Sequence, residues 1–306
     1  MQTVKPIPLK RGDKIGVLAP SGAVNSGPLS DGVSAIQREG FEVVLAEGIS
    51  DRKGYLAGEK KPRARALEQL FAREDVRAIF CARGGFGSIQ LLPLLNPATI
   101  RSQPKIFVGY SDVSVLLNWL IQSCGLVSFH GPMVVMDIAR GLKGRSRDLF
   151  WETLCGASDT WFVSGIPICP GKKVVQAEMV GGCLSVVVTT LGTPYEIQTK
   201  GKILFLEDVG EKTYRIERML THLKMAGKLS DVAGVVFGQF TDCELGEGRG
   251  LTEVVEDLFQ DVTYPVLSGI SAGHGEENFL LPFGVKMVLD GRAGSLSLLE
   301  SPTAQS

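Results

Sequence analysis

The sequence predicts an α/β protein in two parts, an N-terminal doubly wound parallel-sheet domain and a second, C-terminal unit. Three observations lead there. The first half alternates short, unbroken apolar runs with amphipathic segments, the pattern of strands buried on both faces and joined by helices. That alternation stops after about residue 137, and the Pro- and Gly-rich stretch SGIPICPGKK at 164–173 reads as a connection. A second unit, with strands and helices of its own, follows it. The 306 residues are enough for two buried cores. The expected division is 1–138 for the first domain, 139–171 for a connecting segment and 172–306 for the second domain.

In chain order, the apolar runs predict strands at 14–19, 41–46, 76–82, 105–110 and 126–129. Amphipathic spacing predicts helices between them at 27–40, 60–73, 87–95 and 112–123. In such a sheet, ligands sit beyond the carboxyl ends of the strands. The connection contains one charged helix, in ARGLKGRSRDLFWETLCGAS. The second domain is expected to hold a strand at 174–179, a helix after Gly181 and Gly182, a strand at 202–206 and a helix at 214–226 capped by Gly227. A strand at 232–238 follows, and 285–289 with 295–299 form a hairpin across DGRAG.

Composition narrows the function. Lys plus Arg number 32 against 33 Asp plus Glu, so no charge excess favours nucleic acid or an anionic membrane. No apolar stretch approaches the roughly 18 residues of a membrane span, and the N-terminus lacks an apolar signal core. The expected location is therefore the cytoplasm. The six cysteines, Cys81, Cys124, Cys155, Cys169, Cys183 and Cys243, show no C-x-x-C spacing and are expected as mostly buried thiols. H-E-x-x-H and zinc-spaced His/Cys sets are absent from the sequence, so metal catalysis is not expected.

Four segments can carry chemistry. KIFVGYSDVSVLLNWL places Ser111 where a strand gives way to a helix, a setting that exposes a hydroxyl above the sheet edge. Gly109 matches the first glycine of G-x-S-x-G, but Val113 stands at the last position. Ser111 or Asp112 as a helix cap is the commoner use of such a place. VRAIFCARGGFGSIQLL is a second strand–turn–helix, with Gly84, Gly85 and Gly87 in the turn. It suits a phosphate cradle, an oxyanion hole or simply a tight turn. Of the three histidines, His222 shares the polar side of its helix with Arg218 and reads as a surface residue. His130 follows a strand of the first domain, and His274 lies in the glycine-flanked loop GHGEEN. Either can be a base or a structural imidazole. Glu207 and Asp208 end the apolar run KILFL, where acids can also start a turn.

Taken together these segments resemble the LD-carboxypeptidase family of serine peptidases, the murein tetrapeptide carboxypeptidases. The resemblance runs over nearly the whole chain through IGVLAPSG, GYLAG, ARGGFG, VGYSD, FHGP, LFLEDVGEKTYRIERML, GHGEEN and LPFG. It implies a smaller, β-rich C-terminal domain, no cofactor, and a homodimer whose Ser-Glu-His triad falls on Ser111, Glu207 and His274. The implied oxyanion donors are the backbone amides of Gly85 and Asp112. The first domain then supplies the nucleophile and oxyanion turn, and the second the base and its orienting acid. The implied reaction is hydrolysis of an L,D peptide bond that releases D-Ala from a murein tetrapeptide in cell-wall recycling. Arg83, beside the turn, suits the substrate carboxylate or a structural ion pair. His130 is expected to line or shape the substrate pocket. Cys183 departs from the family, in which many members carry Asn at that position. Two other readings stand beside this one. A relative sharing the triad would hydrolyse microcin-type peptidyl-nucleotide amides, and a non-catalytic module would use the 84–87 turn to bind an anion.

Overall fold

The computed structural model describes residues 3–157, 161–168, 173–243 and 249–304; Cys169 and the middle of the SGIPICPGKK connection lie outside them. The chain forms two compact units. The described residues of Met1–Ser158, Phe279–Gly284 and Ser301–Ser306 make the first, and those of Asp159–Asn278 and Val285–Glu300 the second.

The first unit contains β1 (Lys14–Leu18), α1 (Ser26–Arg38), β2 (Glu42–Leu45), α2 (Lys60–Ala72), β3 (Val76–Cys81), α3 (Pro97–Ser102), β4 (Ile106–Gly109), α4 (Ser114–Cys124), β5 (Ser128–His130) and α5 (Gly144–Leu154). The second contains β6 (Phe162–Ser164), β7 (Ile166–Pro167), β8 (Val174–Cys183), α6 (Leu184–Val188), β9 (Ile203–Val209), α7 (Thr213–Met225), β10 (Gly234–Thr241), α8 (Leu251–Phe259) and β11 (Val266–Ser268). The chain then supplies β12 (Leu281–Phe283) to the first unit and ends with β13 (Lys286–Asp290) and β14 (Ser295–Leu298) in the second.

Among the described residues the first unit has a six-stranded sheet ordered β12-β5-β4-β3-β1-β2. Its strands run parallel except β12, which pairs antiparallel with β5. Strand order reverses between β1 and β3, the switch point at which doubly wound sheets open a crevice. The turns leaving β1, β3 and β4 all lie at the carboxyl edge of this sheet. The core is the expected one: Ile15, Val17, Ile79, Phe80, Phe107 and Val108 are fully buried. α4 is buried on almost every side, as its apolar sequence requires.

The second unit has, among the described residues, an eight-stranded sheet ordered β6-β14-β13-β8-β9-β10-β11-β7. Its centre, β8 to β11, is parallel, and the flanking pairs are antiparallel. Its outermost strands, β6 and β7, are joined by Gly165 alone, so the sheet curls until its two edges meet. The Gly165 amide donates to the Gly294 carbonyl at 2.7 Å, continuing the β14–β6 ladder by one residue. Among the described residues, closure leaves no long unpaired edge.

Several elements differ from expectation. The segment 87–95 is two short 3-10 turns, Ser88–Gln90 and Leu92–Leu94, because Pro93 has no N–H to continue a helix. β5 starts at Ser128, since Leu126 instead bridges Val4, and His130 is its last residue rather than the residue after it. β8 and β9 run on to Cys183 and Val209 because they pair with each other, which puts Glu207 and Asp208 inside a strand. Helix α5, within the stretch 139–171 expected as a connection, belongs to the first unit. Its Phe150 meets Phe80 edge to face at 5.5 Å, and Trp151 stacks on Phe41 at 5.0 Å. β6, β7, α3, α8, β11 and β12 have no counterpart among the expected elements. The helices at α7 and α6 and the β13/β14 hairpin match it.

Candidate active site

The first unit holds Ser111, Asp112, Arg83, Gly84, Gly85 and His130, all singled out in the sequence. Strand β4 delivers the chain to Tyr110, in extended conformation, and Ser111 then turns sharply with φ at +61°. A left-handed conformation costs a residue with a Cβ about 1–2 kcal/mol. Strain of that kind clusters at functional sites, and it is the backbone geometry of a nucleophile elbow. A 3-10 turn, Ser111–Val113, leads directly into α4, so the hydroxyl stands at a helix N-terminus.

Facing this elbow is the turn after β3. A methyl added at Gly84 would lie 2.7 Å from the Ser111 Cβ and 2.8 Å from its Oγ, so only glycine permits the approach. The same point is 3.5 Å from the Asp112 amide nitrogen. Neither that amide nor the Gly85 amide donates to a protein acceptor among the described residues. Gly85 and Phe86 are exposed, and the Phe86 ring meets Tyr55 edge to face at 6.2 Å. Arg83 is half-buried. Its Nη1 donates to the Ala23 carbonyl at 3.1 Å, and its buried Nε has no partner among the described residues.

His130 has no exposed surface; its ring sits between Tyr110 at 5.9 Å and Phe283 at 5.5 Å. It packs inside the first unit behind Tyr110, the residue that precedes the elbow.

The second unit joins two more. Glu207, fully buried on β9, accepts the Nδ1–H of His274 at 2.7 Å and the backbone N–H of His274 at 3.2 Å. A carboxylate at Nδ1 fixes the tautomer that leaves Nε2 with its lone pair. The imidazole keeps 15% of its side chain exposed. Gly273 makes this contact possible. Its φ is +114°, and a Cβ there would fall 2.4 Å from Glu207 Oε2. The Gly273 amide is held in turn by Asn278 Oδ1 at 3.0 Å, which closes the GHGEEN loop on itself. His222 is exposed on α7, as its helical position required.

Asp208 points elsewhere. Its carboxylate accepts the Ser185 amide at 2.7 Å, the Ser185 hydroxyl at 3.1 Å and its neighbour Val209's amide at 2.9 Å. Burial pushes the Asp208 carboxyl above its usual range; the Val209 and Ser185 amides pull it back, and the like charge of Glu207 adds to the push. The Cys183 thiol lies 3.5 Å from Asp208 and 3.3 Å from the Ser185 hydroxyl. Burial, with Glu207 and Asp208 beside it, pushes that thiol well above the ordinary range, so it stays protonated. The sequence carried no sign that Asp208 and Ser185 would pair, because 23 residues separate them.

Fold and clusters define the class, a two-unit α/β protein with a parallel first sheet and a β-rich second one. The LD-carboxypeptidase N-terminal domain matches residues 15–131, and the LD-carboxypeptidase C-terminal domain matches 176–289. The chain belongs to the LD-carboxypeptidase family. It is 37% identical, over 94% of its length and 91% of the relative's, to a probable murein peptide carboxypeptidase of Bacillus subtilis. It is 28% identical to the microcin C7 self-immunity protein of Escherichia coli, over 96% of this chain and 95% of that one. Among solved structures, muramoyltetrapeptide carboxypeptidase from Oxalobacter formigenes superposes with a TM-score of 0.86 at 30% identity, covering 95% of this chain and 100% of that one. No described helix is long and apolar enough to cross a membrane.

Proposed function

We propose that this protein is a metal-independent serine carboxypeptidase of the cytoplasm that removes D-alanine from murein tetrapeptide by hydrolysing an L,D peptide bond. The observation that carries the reading is the elbow at Ser111, a strained φ of +61° on a serine that abuts the glycine turn. The names of the Bacillus and Oxalobacter relatives support the substrate.

In this mechanism Ser111 Oγ attacks the carbonyl carbon of the scissile bond while His274 Nε2 accepts its proton. Glu207 holds the imidazole and stabilises the imidazolium that forms. The Gly85 and Asp112 amides receive the developing oxyanion. His274 then gives the proton to the leaving D-alanine amine, and water resolves the acyl-enzyme by the same route.

The direct test is incubation with defined murein tri-, tetra- and pentapeptides followed by mass analysis. The tetrapeptide should lose one alanine, and its all-L counterpart and C-terminal amide should be poor substrates. Strong preference for an aminoacyl sulfamoyl adenosine would move the protein to the microcin-immunity reading, and the absence of any hydrolysis would overturn the enzyme.

Arg83 is assigned the substrate carboxylate. Replacing it with Ala should weaken kcat/KM for the free-acid peptide by about 1.5–3 kcal/mol, the worth of a hydrogen bond to a charged group. The amide should be nearly unaffected. Equal loss on both peptides would reduce Arg83 to its bond with the Ala23 carbonyl.

Gly84→Ala carries no φ penalty, since φ at this glycine is not in the left-handed region, but its methyl would lie 2.7 Å from the Ser111 Cβ, so a modest loss of stability accompanies it. The added methyl must displace the Ser111 hydroxyl, and a shift of about 1 Å costs about 100-fold in kcat. Wild-type turnover by the folded variant would remove Gly84 from the site.

A further inference from the structure

We infer that Arg63 and the carboxylate of Asp112 are positioning residues that orient the oxyanion turn by gripping one peptide group from both of its poles. The inference rests on the reading above, in which that turn receives the oxyanion. The peptide is the one that links Gly87 to Ser88. Its carbonyl, on Gly87, accepts from Arg63 Nη1 at 3.0 Å. Its N–H, on Ser88, donates to Asp112 Oδ2 at 2.8 Å.

A peptide group is a dipole of about 3.5 D, negative at oxygen and positive at the N–H. A cation at the first pole and an anion at the second define one orientation. Rotating the peptide breaks two charge-assisted hydrogen bonds at once, the strong class of such bonds. Both charged side chains are nearly sealed from water, Arg63 at 3% and Asp112 at 4% exposure. Burial pulls the Arg63 guanidinium down from its usual range, and the charges of Asp112 and Glu59 push it back up. A guanidinium buried alone would be costly, so its placement here depends on the carboxylate and on the backbone oxygens it faces.

The rest of the network ties three turns together. Arg63 also donates to the Pro20 carbonyl, in the turn after β1, and its Nη2 donates to Gln90 Oε1 at 2.8 Å. The Ser88 and Ser21 hydroxyls share a buried hydrogen bond of 2.7 Å, and the Gly22 amide donates to the Gly84 carbonyl at 3.0 Å. Asp112 follows Ser111 directly. Its side chain therefore fixes the glycine turn relative to the elbow, while its own amide is one of the two proposed oxyanion donors.

The test uses the full-length protein as Arg63→Met, Arg63→Lys, Asp112→Asn and the double variant Arg63→Met/Asp112→Asn. The readouts are kcat and KM on murein tetrapeptide, the rate at which a fluorophosphonate labels Ser111, and the melting temperature. Loosening the turn should lower kcat and the labelling rate by about 100-fold in Arg63→Met and Asp112→Asn, the cost of roughly 1 Å of misplacement. KM should stay within about threefold, because ground-state binding does not use the oxyanion donors. Arg63→Lys, which keeps the charge, should recover part of the rate. The double variant removes the two charges as a pair, so it should regain stability lost by the single variants without regaining activity. Folded variants that label at the wild-type rate would overturn the assignment. So would a double variant whose activity returns together with its stability. If Arg63→Met does not fold, Arg63→Lys and Asp112→Asn decide the matter by the same criteria. A wild-type protein whose Ser111 fails to label would instead overturn the nucleophile reading, and this inference with it.

Discussion

Ser111→Ala is expected to fold and to lose on the order of 10³-fold or more in kcat on murein tetrapeptide, the scale of losses in catalytic triads. A companion variant separates chemistry from strain. Ser111 holds φ at +61°, which glycine adopts without penalty and alanine does not. Ser111→Gly should therefore be as inactive as Ser111→Ala yet more stable than the wild type by about 1 kcal/mol. That corresponds to a rise of about 2–4 °C in melting temperature for a unit of this size. A stabilised but inactive protein is the signature of strain retained for function. Near-native turnover by either folded variant would sink the mechanism. A Ser111→Gly protein that melts below Ser111→Ala would remove strain from the account.

The second large effect concerns the base. His274→Ala should match the serine knockout, on the order of 10³-fold or more in kcat. Glu207→Gln should also lose on the order of 10³- to 10⁴-fold, because an amide opposite Nδ1 no longer selects the tautomer with a free Nε2 lone pair. Both should keep KM close to wild type. His130 is the contrast. It is fully buried against Tyr110 and Phe283, so His130→Ala should act first on stability by opening a cavity. His130→Phe, which keeps a ring there, should retain most of the activity. If the folded His130→Phe protein is slower than His274→Ala, the base has been assigned to the wrong histidine.

Much of the fold was legible because the physics is local. Unbroken apolar runs such as those of β1, β3 and β4 are what strands buried on both faces need, and the helices α1, α2 and α7 show helical spacing of apolar residues. Elements made by long-range pairing were not legible. β12 is three residues long and becomes a strand by pairing with β5, some 150 positions earlier. β7 is two residues, one of them a proline, and exists by closing on β11. Proline explains the opposite error at 87–95, where apolar spacing suggested a helix and Pro93 removed the hydrogen bond that would sustain one.

The site divides in the same way. The sequence by itself determined that a serine follows a buried strand and opens a helix, that a glycine turn follows the neighbouring strand, and that a histidine sits in a glycine-flanked loop. Those are local patterns, set by which residues can occupy a sharp turn or start a helix. The family resemblance added the role of each. Only the tertiary structure decided that Gly84 abuts Ser111, that Glu207 and not its neighbour Asp208 faces His274, and that His130 is packed away behind Tyr110. It also decided that Arg63, unremarkable in KKPRARALEQL, donates to the Gly87 carbonyl in the glycine turn. Adjacent residues on a strand point to opposite sides, so two neighbouring acids cannot be told apart until the partners on each side are in place. A buried charge likewise takes its meaning from groups far away in sequence, because in a low-dielectric interior its nearest partners decide whether it can be there at all.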